Sequence, residues 1–348
     1  MATINELNMK DLVKQLDKSQ IKKIPRMRDL YRDIQKELDA VDKELKKFIE
    51  SPNKIIADIS SYLFQNTGKR IRPALLILCS KLCGYTGNEH ITMSSLVETI
   101  HTASLLHDDI IDNSNTRRGR ESVHTRWGPN ITVLLGDYLY IKTIGNSLQS
   151  KHRQIVKILT DVSSEMIEGE LNEYAVSWDM NIDEYAYLDI INKKTASLFS
   201  ASCQIGGILG NAQDKEEKIL ADFGTNLGMT FQLIDDLLDY TGDESKLGKP
   251  VLSDLREGRI TLPLIYTLHQ NGKENCNRIL DMLNKKALDK SSFEEIIHTV
   301  QSNGALDYTQ KKAEEFSNHS KQLLQQLPSS VYRDALSLFP DFTLYRNK

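Results

Sequence analysis

Six aspartates in two short stretches are the residues of this chain best placed to do chemistry. Residues 105–120 read LLHDDIIDNSNTRRGR and residues 231–240 read FQLIDDLLDY, so the spacing of Asp108, Asp109 and Asp112 returns as Asp235, Asp236 and Asp239. On a helix, the first and last member of each triplet share a stripe one turn apart, where like charges repel. A solvated acidic face is the ordinary explanation, and one DDxxD arises by chance in roughly one chain in twenty. Two copies, each closing an apolar stretch (ASLLH and GMTFQLI), fall well below roughly one chain in a hundred on the same composition. Carboxylates this crowded ask for a cation. Mg²⁺ takes one or two carboxylates and fills the rest of its shell with water and phosphate oxygens. Two such walls facing each other across a cavity would hold several ions and clamp a diphosphate between them. An EF-hand is excluded: counted from Asp112, Arg117 stands at the sixth loop position, where that motif needs glycine, and the twelfth is Val123 rather than glutamate.

Basic residues flank both triplets. TGKRIRPALL (67–76) sets Lys69, Arg70 and Arg72 at an expected helix start, where free backbone N–H groups also favour anions, although the pattern is not a Walker A loop. Arg117 and Arg118 follow the first triplet, Lys194 and Thr195 lie in NKKTASLF, and Lys246, Lys249 and Arg259 follow the second. Each alone is ordinarily a surface charge; together they read as point charges and forks for phosphate oxygens. His101 precedes Asp108 by two turns on one face, about 10 Å along the axis. A hydrogen-bonded core histidine and a ligand contact fit that spacing equally. No Ser-His-Asp order, catalytic cysteine context, Rossmann glycine pattern or zinc spacing occurs.

The elements that must carry these residues are helical. Apolar residues recur at three and four along most of the chain, predicting helices over 26–50, 54–66, 72–84, 90–113, 130–149, 151–175, 183–209, 214–241, 261–270, 291–302, 305–326 and 331–346. No alternating run calls for strands. Pro129 and Pro263 suit first-turn positions. No Gly, Ser or Pro-rich linker divides the chain, so residues 25–348 form one all-α domain preceded by a mobile segment, 1–24. With 44 Lys plus Arg against 48 Asp plus Glu, the net charge of −4 argues against nucleic-acid binding. Cys79, Cys83, Cys203 and Cys276 form no CxxC pair and read as reduced thiols, the first two as small core residues. The N-terminus has neither an apolar h-region nor Arg-rich, acid-poor character, and no window reaches the ~20 apolar residues of a membrane span. The expectation is a cytoplasmic protein without a transmembrane segment.

Six motifs in order, GKRIRP, HTASLLHDDIIDNSNTRRGR, EMIEGEL, KKTASLF, GMTFQLIDDLLDYTG and LGKPVLSDLREGRITLP, make the chain resemble the trans-type (head-to-tail) prenyl diphosphate synthases over nearly all of residues 25–346. Within them it is similar to the medium- and long-chain polyprenyl enzymes, of octaprenyl, heptaprenyl or solanesyl type. The resemblance implies a helical bundle around a deep central cavity (the isoprenoid synthase type I fold) and a homodimer. It implies Mg²⁺ held by Asp108 and Asp112 from one wall and Asp235 and Asp239 from the other, with Asp109 and Asp236 in support. It further implies that Arg117, Lys194, Thr195, Gln232 and Lys249 contact the allylic diphosphate, while Lys69, Arg72, His101 and Arg118 hold isopentenyl diphosphate. Thr67 stands where a second glycine is common, and Arg259 where lysine is frequent.

The implied reaction ionises an allylic diphosphate such as farnesyl diphosphate and adds isopentenyl units, for isoprenoid quinone side chains. A long product also implies transient membrane contact on release. Relatives making short products carry an aromatic plug five and four residues before the first triplet. Ala103 and Ser104 are small, so an open tunnel and more than four isoprene units are expected, with Met93, Val97 and Ile100 as floor or plain core. The alternatives are a shorter-chain farnesyl or geranylgeranyl synthase, a terpene cyclase, for which a second diphosphate site has no use, and a regulatory subunit, which would have lost aspartates.

Overall fold

The computed structural model describes residues 25–63, 68–241, 251–269, 274–284 and 288–346. The segment 1–24, Thr67, Lys246 and Lys249 lie outside the described residues. Among those described, helices dominate: α1 (Met27–Tyr31), α2 (Gln35–Phe48), α3 (Lys54–Leu63), α4 (Ile71–Leu82), α5 (Glu89–Ile111), α6 (Val123–Trp127), α7 (Pro129–Ser147), α8 (Arg153–Ala175), α9 (Glu184–Ile191), a π turn (Asn192–Ala196), α10 (Ser197–Leu209), α11 (Asp214–Thr241), α12 (Ser253–Arg256), α13 (Leu262–Leu268), α14 (Glu274–Asn284), α15 (Lys290–Ser302), α16 (Ala305–Leu324) and α17 (Val331–Leu344).

Apolar periodicity places most of these correctly, because long helices bury one stripe: Leu38, Val41 and Leu45 in α2 show the spacing. Pro129 and Pro263 open α7 and α13 as expected, where a missing N–H is harmless. Three expectations are corrected. The helix drawn over 26–50 breaks at 32–34, where Tyr31 packs its ring on Phe339 and donates its hydroxyl to the Lys69 carbonyl. A two-residue hairpin pairs Thr116–Arg117 with Arg120–Glu121. Strands so short leave no alternation to detect, and the turn is made by Arg118 (φ 52°) and Gly119 (φ 76°), both left-handed. Finally, α14 lies in a stretch given no helix, buried through Ile279 and Leu283 against Phe293 and Ile296.

The centre of the bundle is α11, packed along α10 and α16; α10 in turn lies on α4, and α5 lies on α4 and α7. Phe199, Phe223 and Phe339 are fully buried in this core, each burial stabilising by roughly 1.5–3 kcal/mol. Cys79 and Cys203 are buried free thiols and Cys83 is half-buried. Met93, Val97 and Ile100 are buried among Leu76, Ile155, Leu159 and Val162. Among the described residues, no helix is long and apolar enough to cross a membrane.

Candidate active site

The first triplet sits where α5 ends. Asp112 caps it, and Asn113, at φ 50°, turns the chain away, a conformation that asparagine tolerates better than most residues. The second triplet lies near the end of α11. Between them, Asp112, Glu173, Lys194, Thr195, Gln232, Asp235, Asp236, Asp254 and Arg259 line one hollow, which brings residues of both acidic motifs together.

Most of the charged and polar groups there engage one another. Arg259 donates to Asp112 (2.8 Å) and Asp254 (2.9 Å) and also pairs with Glu257, bridging the two walls. Lys194 pairs with Glu170 (2.6 Å) and Glu173, and these carboxylates, with Asp108, hold its ammonium form against burial. Thr195 Oγ1 donates to Gln232 Oε1 (2.8 Å), and Gln232 Nε2 donates to Asp236 Oδ1 (2.8 Å). Asp236 also accepts the Tyr187 hydroxyl; burial first, then the Asp254 charge, pushes it well above the usual carboxylate range. Asp108 is pushed up to about 7, first by burial and then by Glu170, against the pull of Lys194 and Arg117. Carboxyls displaced upward by burial and mutual repulsion are groups that a cation would return to their ionised form. The donor set, all hard oxygen, fits Mg²⁺. That ion draws most of its shell from water and phosphate; among the described residues no cluster of three metal-ligating side chains occurs.

The triplets are not deployed as the one-turn spacing implied. In the second, Asp239 is turned away from the hollow. Its oxygens accept the Ser253 N–H (3.2 Å), the Ser253 hydroxyl (2.7 Å) and the Asp254 N–H (3.1 Å), capping α12. Asp236, expected in support, lines the hollow instead. Asp235 is half-exposed and accepts from Arg346 Nη2 (2.8 Å). In the first triplet Asp109 is buried and accepts Arg117 Nε (2.6 Å).

A second, basic hollow lies on the other side of α5, lined by Arg70, Glu98, His101, Arg117 and Arg118 with apolar Leu63, Leu105 and Val123. Arg118 lies against Gly68, where a Cβ would come within 2.7 Å of Nη2 and push the guanidinium aside. Burial and the four arginines 70, 72, 117 and 118 hold His101 well below its ordinary value, as a neutral imidazole. Arg70, read from sequence as part of an anion-binding helix start, is instead committed to Asp42 (2.8 Å) and Glu98 (2.6 Å). Arg72 is half-buried with its guanidinium 4.5 Å from the Phe199 ring, and desolvation of that guanidinium pulls it down to about 10. Lys69 is exposed beside them.

A third hollow opens below Asp108, lined by Ser104, His107, Tyr140, Met166, Ile167, Glu170 and Leu171. Ser104 faces it; Ala103 does not. Ala103 is packed among Leu106, Val123, Leu135 and Leu139, which corrects its assignment to the tunnel: neighbours on a helix point about 100° apart, so only one could. Sequence reasoning missed Glu170, Glu173, Asp254, Tyr187 and Arg346. Glu170 stood in EMIEGEL and Glu173 two residues beyond it, about one turn apart, with an available signal in that spacing. Arg346 had none, lying 111 residues from the aspartate it contacts.

A family model described as polyprenyl synthetase matches residues 53–300. The octaprenyl diphosphate synthase of Escherichia coli is 35% identical over 300 residues, covering 86% of this chain and 93% of the relative. The geranylgeranyl diphosphate synthase of Sulfolobus acidocaldarius is 33% identical over 320 residues, covering 89% and 97%. Among solved structures, a polyprenyl synthase from Caulobacter crescentus complexed with calcium and isoprenyl diphosphate superposes with a TM-score of 0.89 at 31% identity, covering 93% of this chain and 99% of that one. A decaprenyl diphosphate synthase from Rhodobacter capsulatus gives 0.88 at 30% identity, covering 93% and 100%.

Proposed function

The chain belongs to the polyprenyl synthetase family, and from that premise we propose that it is a long-chain trans-polyprenyl diphosphate synthase elongating an allylic diphosphate with isopentenyl diphosphate. One observation carries the reading: Asp112 from one wall and Asp235 and Asp236 from the other line a single hollow with Lys194, Thr195 and Gln232. Asp108, Asp112 and Asp235 would hold Mg²⁺, which would neutralise charge gathering on the departing diphosphate. Lys194 and Thr195, with Arg117 and Lys249, are proposed to grip the allylic diphosphate. His101 and Arg118, with Lys69 and Arg72, are proposed to hold the isopentenyl diphosphate, where a neutral His101 can donate a hydrogen bond without giving up a proton. Buried walls exclude water from the allylic cation. No side-chain nucleophile is needed.

A product longer than four isoprene units is supported by the hollow under Asp108, where Ser104 leaves room among Tyr140, Met166 and Leu171. A homodimer is supported by exposed Leu134, Ile141 and Leu148, seven residues apart along α7 and its end, with Ile167, Leu171 and Tyr174 on α8. The cytoplasm is the compartment proposed, in keeping with the free thiols of Cys79, Cys83 and Cys203, and quinone side chains are the proposed use. The test is incubation with farnesyl diphosphate, excess isopentenyl diphosphate and Mg²⁺, with products read by mass spectrometry. A ladder ending at one long polyprenyl diphosphate is expected. Arrest at four units would refute the long-chain assignment, and no elongation of any allylic starter would refute the synthase.

A further inference from the structure

The helix that carries Lys194 and Thr195 is irregular at those two residues. From Asn192 to Ala196 it is wound as a π turn, with the Ser197 N–H reaching back to the Asn192 carbonyl. Such turns accommodate one extra residue and rotate the side chains that follow; they gather at functional sites. The local sequence, NKKTA, holds neither glycine nor proline, so the cause lies in the neighbours.

Two glycines press on the turn from different helices. Gly169 lies inside α8, and a Cβ there would stand 2.6 Å from the Lys194 backbone N and 3.0 Å from Lys194 Cα. Gly228 lies inside α11, and a Cβ there would stand 2.5 Å from Ala196 Cα. Because the nearest atoms are backbone, no side-chain rotation can open either gap. Glycine is disfavoured inside a helix, yet both positions use it. Each also adjoins a residue that completes the placement: Glu170 pairs with Lys194 at 2.6 Å, and Gln232, one turn beyond Gly228, accepts the Thr195 hydroxyl at 2.8 Å.

We propose that Gly169 and Gly228 are positioning residues for prenyl transfer. By letting α8 and α11 close on the backbone of the π turn, they fix where the Lys194 ammonium and the Thr195 hydroxyl meet the allylic diphosphate. The proposal rests on the synthase reading above, and it assigns a task to the glycine of EMIEGEL.

Steady-state kinetics of Gly169→Ala and Gly228→Ala test it, beside wild type and Gly207→Ala. Gly207 is a buried glycine of α10 whose added Cβ would come closest to a side-chain methyl, Leu220 Cδ1 at 2.9 Å, so it reports ordinary packing. A misplacement of the diphosphate contacts by a fraction of an ångström to an ångström should raise KM for the allylic diphosphate about tenfold and lower kcat, with KM for isopentenyl diphosphate within about twofold of wild type. Gly207→Ala should leave both KM values unchanged. Equal changes in the two KM values, or a fall in kcat that merely follows the folded fraction, would overturn the proposal. So would failure of both variants to fold while Gly207→Ala folds, since packing would then be their whole role. The wild type separates the two readings: inactivity on every allylic starter refutes the synthase, whereas an active wild type with unaltered variants refutes only the positioning role.

Discussion

In the first aspartate triplet, at the end of α5, the three carboxyls face three different hollows: Asp108 the apolar one, Asp109 the basic one and Asp112 the central one. In the second, inside α11, Asp235 and Asp236 share the central hollow, while Asp239 is buried beneath it holding α12. The two have the same letters and the same spacing, yet different use. Spacing fixes which aspartates lie one turn apart. What each touches depends on the element packed opposite, and there the two helices differ: α5 ends in solvent-facing turns, whereas α11 is enclosed by α12 and α16.

The largest expected effect bears on what the triplets share. Asp108→Ala and Asp235→Ala should each lower kcat by about a thousandfold or more with the circular dichroism spectrum intact, since charge stabilisation at the leaving group is the main contribution to rate. Near-normal turnover in either variant would break the two-wall arrangement. The next effect bears on where they part. Asp239→Ala strands the buried Ser253 and Asp254 N–H groups and should destabilise by about 1–3 kcal/mol in denaturant titration. Asp235→Ala, at a half-exposed site, leaves the buried Arg346 guanidinium with the Phe231 ring and carbonyl and should cost less than Asp239→Ala. Equal stability losses would show that Asp239 faces the cavity after all.

Within α5 the same contrast divides neighbours. Ser104→Phe should shorten the product, seen as a lower terminal mass. Ala103→Tyr should instead overpack the core and lower stability by about 1–3 kcal/mol without a new product length in the folded enzyme. The smallest effect concerns protons. A carboxyl raised from 3.8 to about 7 is penalised when ionised in the fold, so the folded state binds more protons than the unfolded one between those values, and stability falls as pH rises through them. His101, lowered, opposes this near its ordinary value of 6.5. Metal-free enzyme should therefore lose melting temperature between pH 5 and 8 by an amount that shrinks in Asp108→Asn; the same slope in both would remove Asp108 as its source.

The helices whose apolar stripes are long were legible in the sequence, and the resemblance implied two aspartate walls; Asp112 and Asp235 line one hollow. The sequence could not disclose that Arg70 would be taken by Asp42 and Glu98, or that Ala103 would turn from the tunnel. Those outcomes depend on partners 28 residues or more away, or on helix phase finer than a repeat of three and four. Arg118 shows a third kind of opacity. Nothing local marks an arginine for a left-handed turn, yet φ 52° there sets its guanidinium against Gly68.

Arg346 gives the molecule a practical asymmetry. Its guanidinium lies 3.7 Å over the Phe231 ring and donates to the Phe231 carbonyl and to Asp235, so a residue beyond α17 braces the second aspartate triplet. Substituting Arg346 would therefore amount to an active-site lesion, although 111 residues of chain separate it from the aspartate it holds.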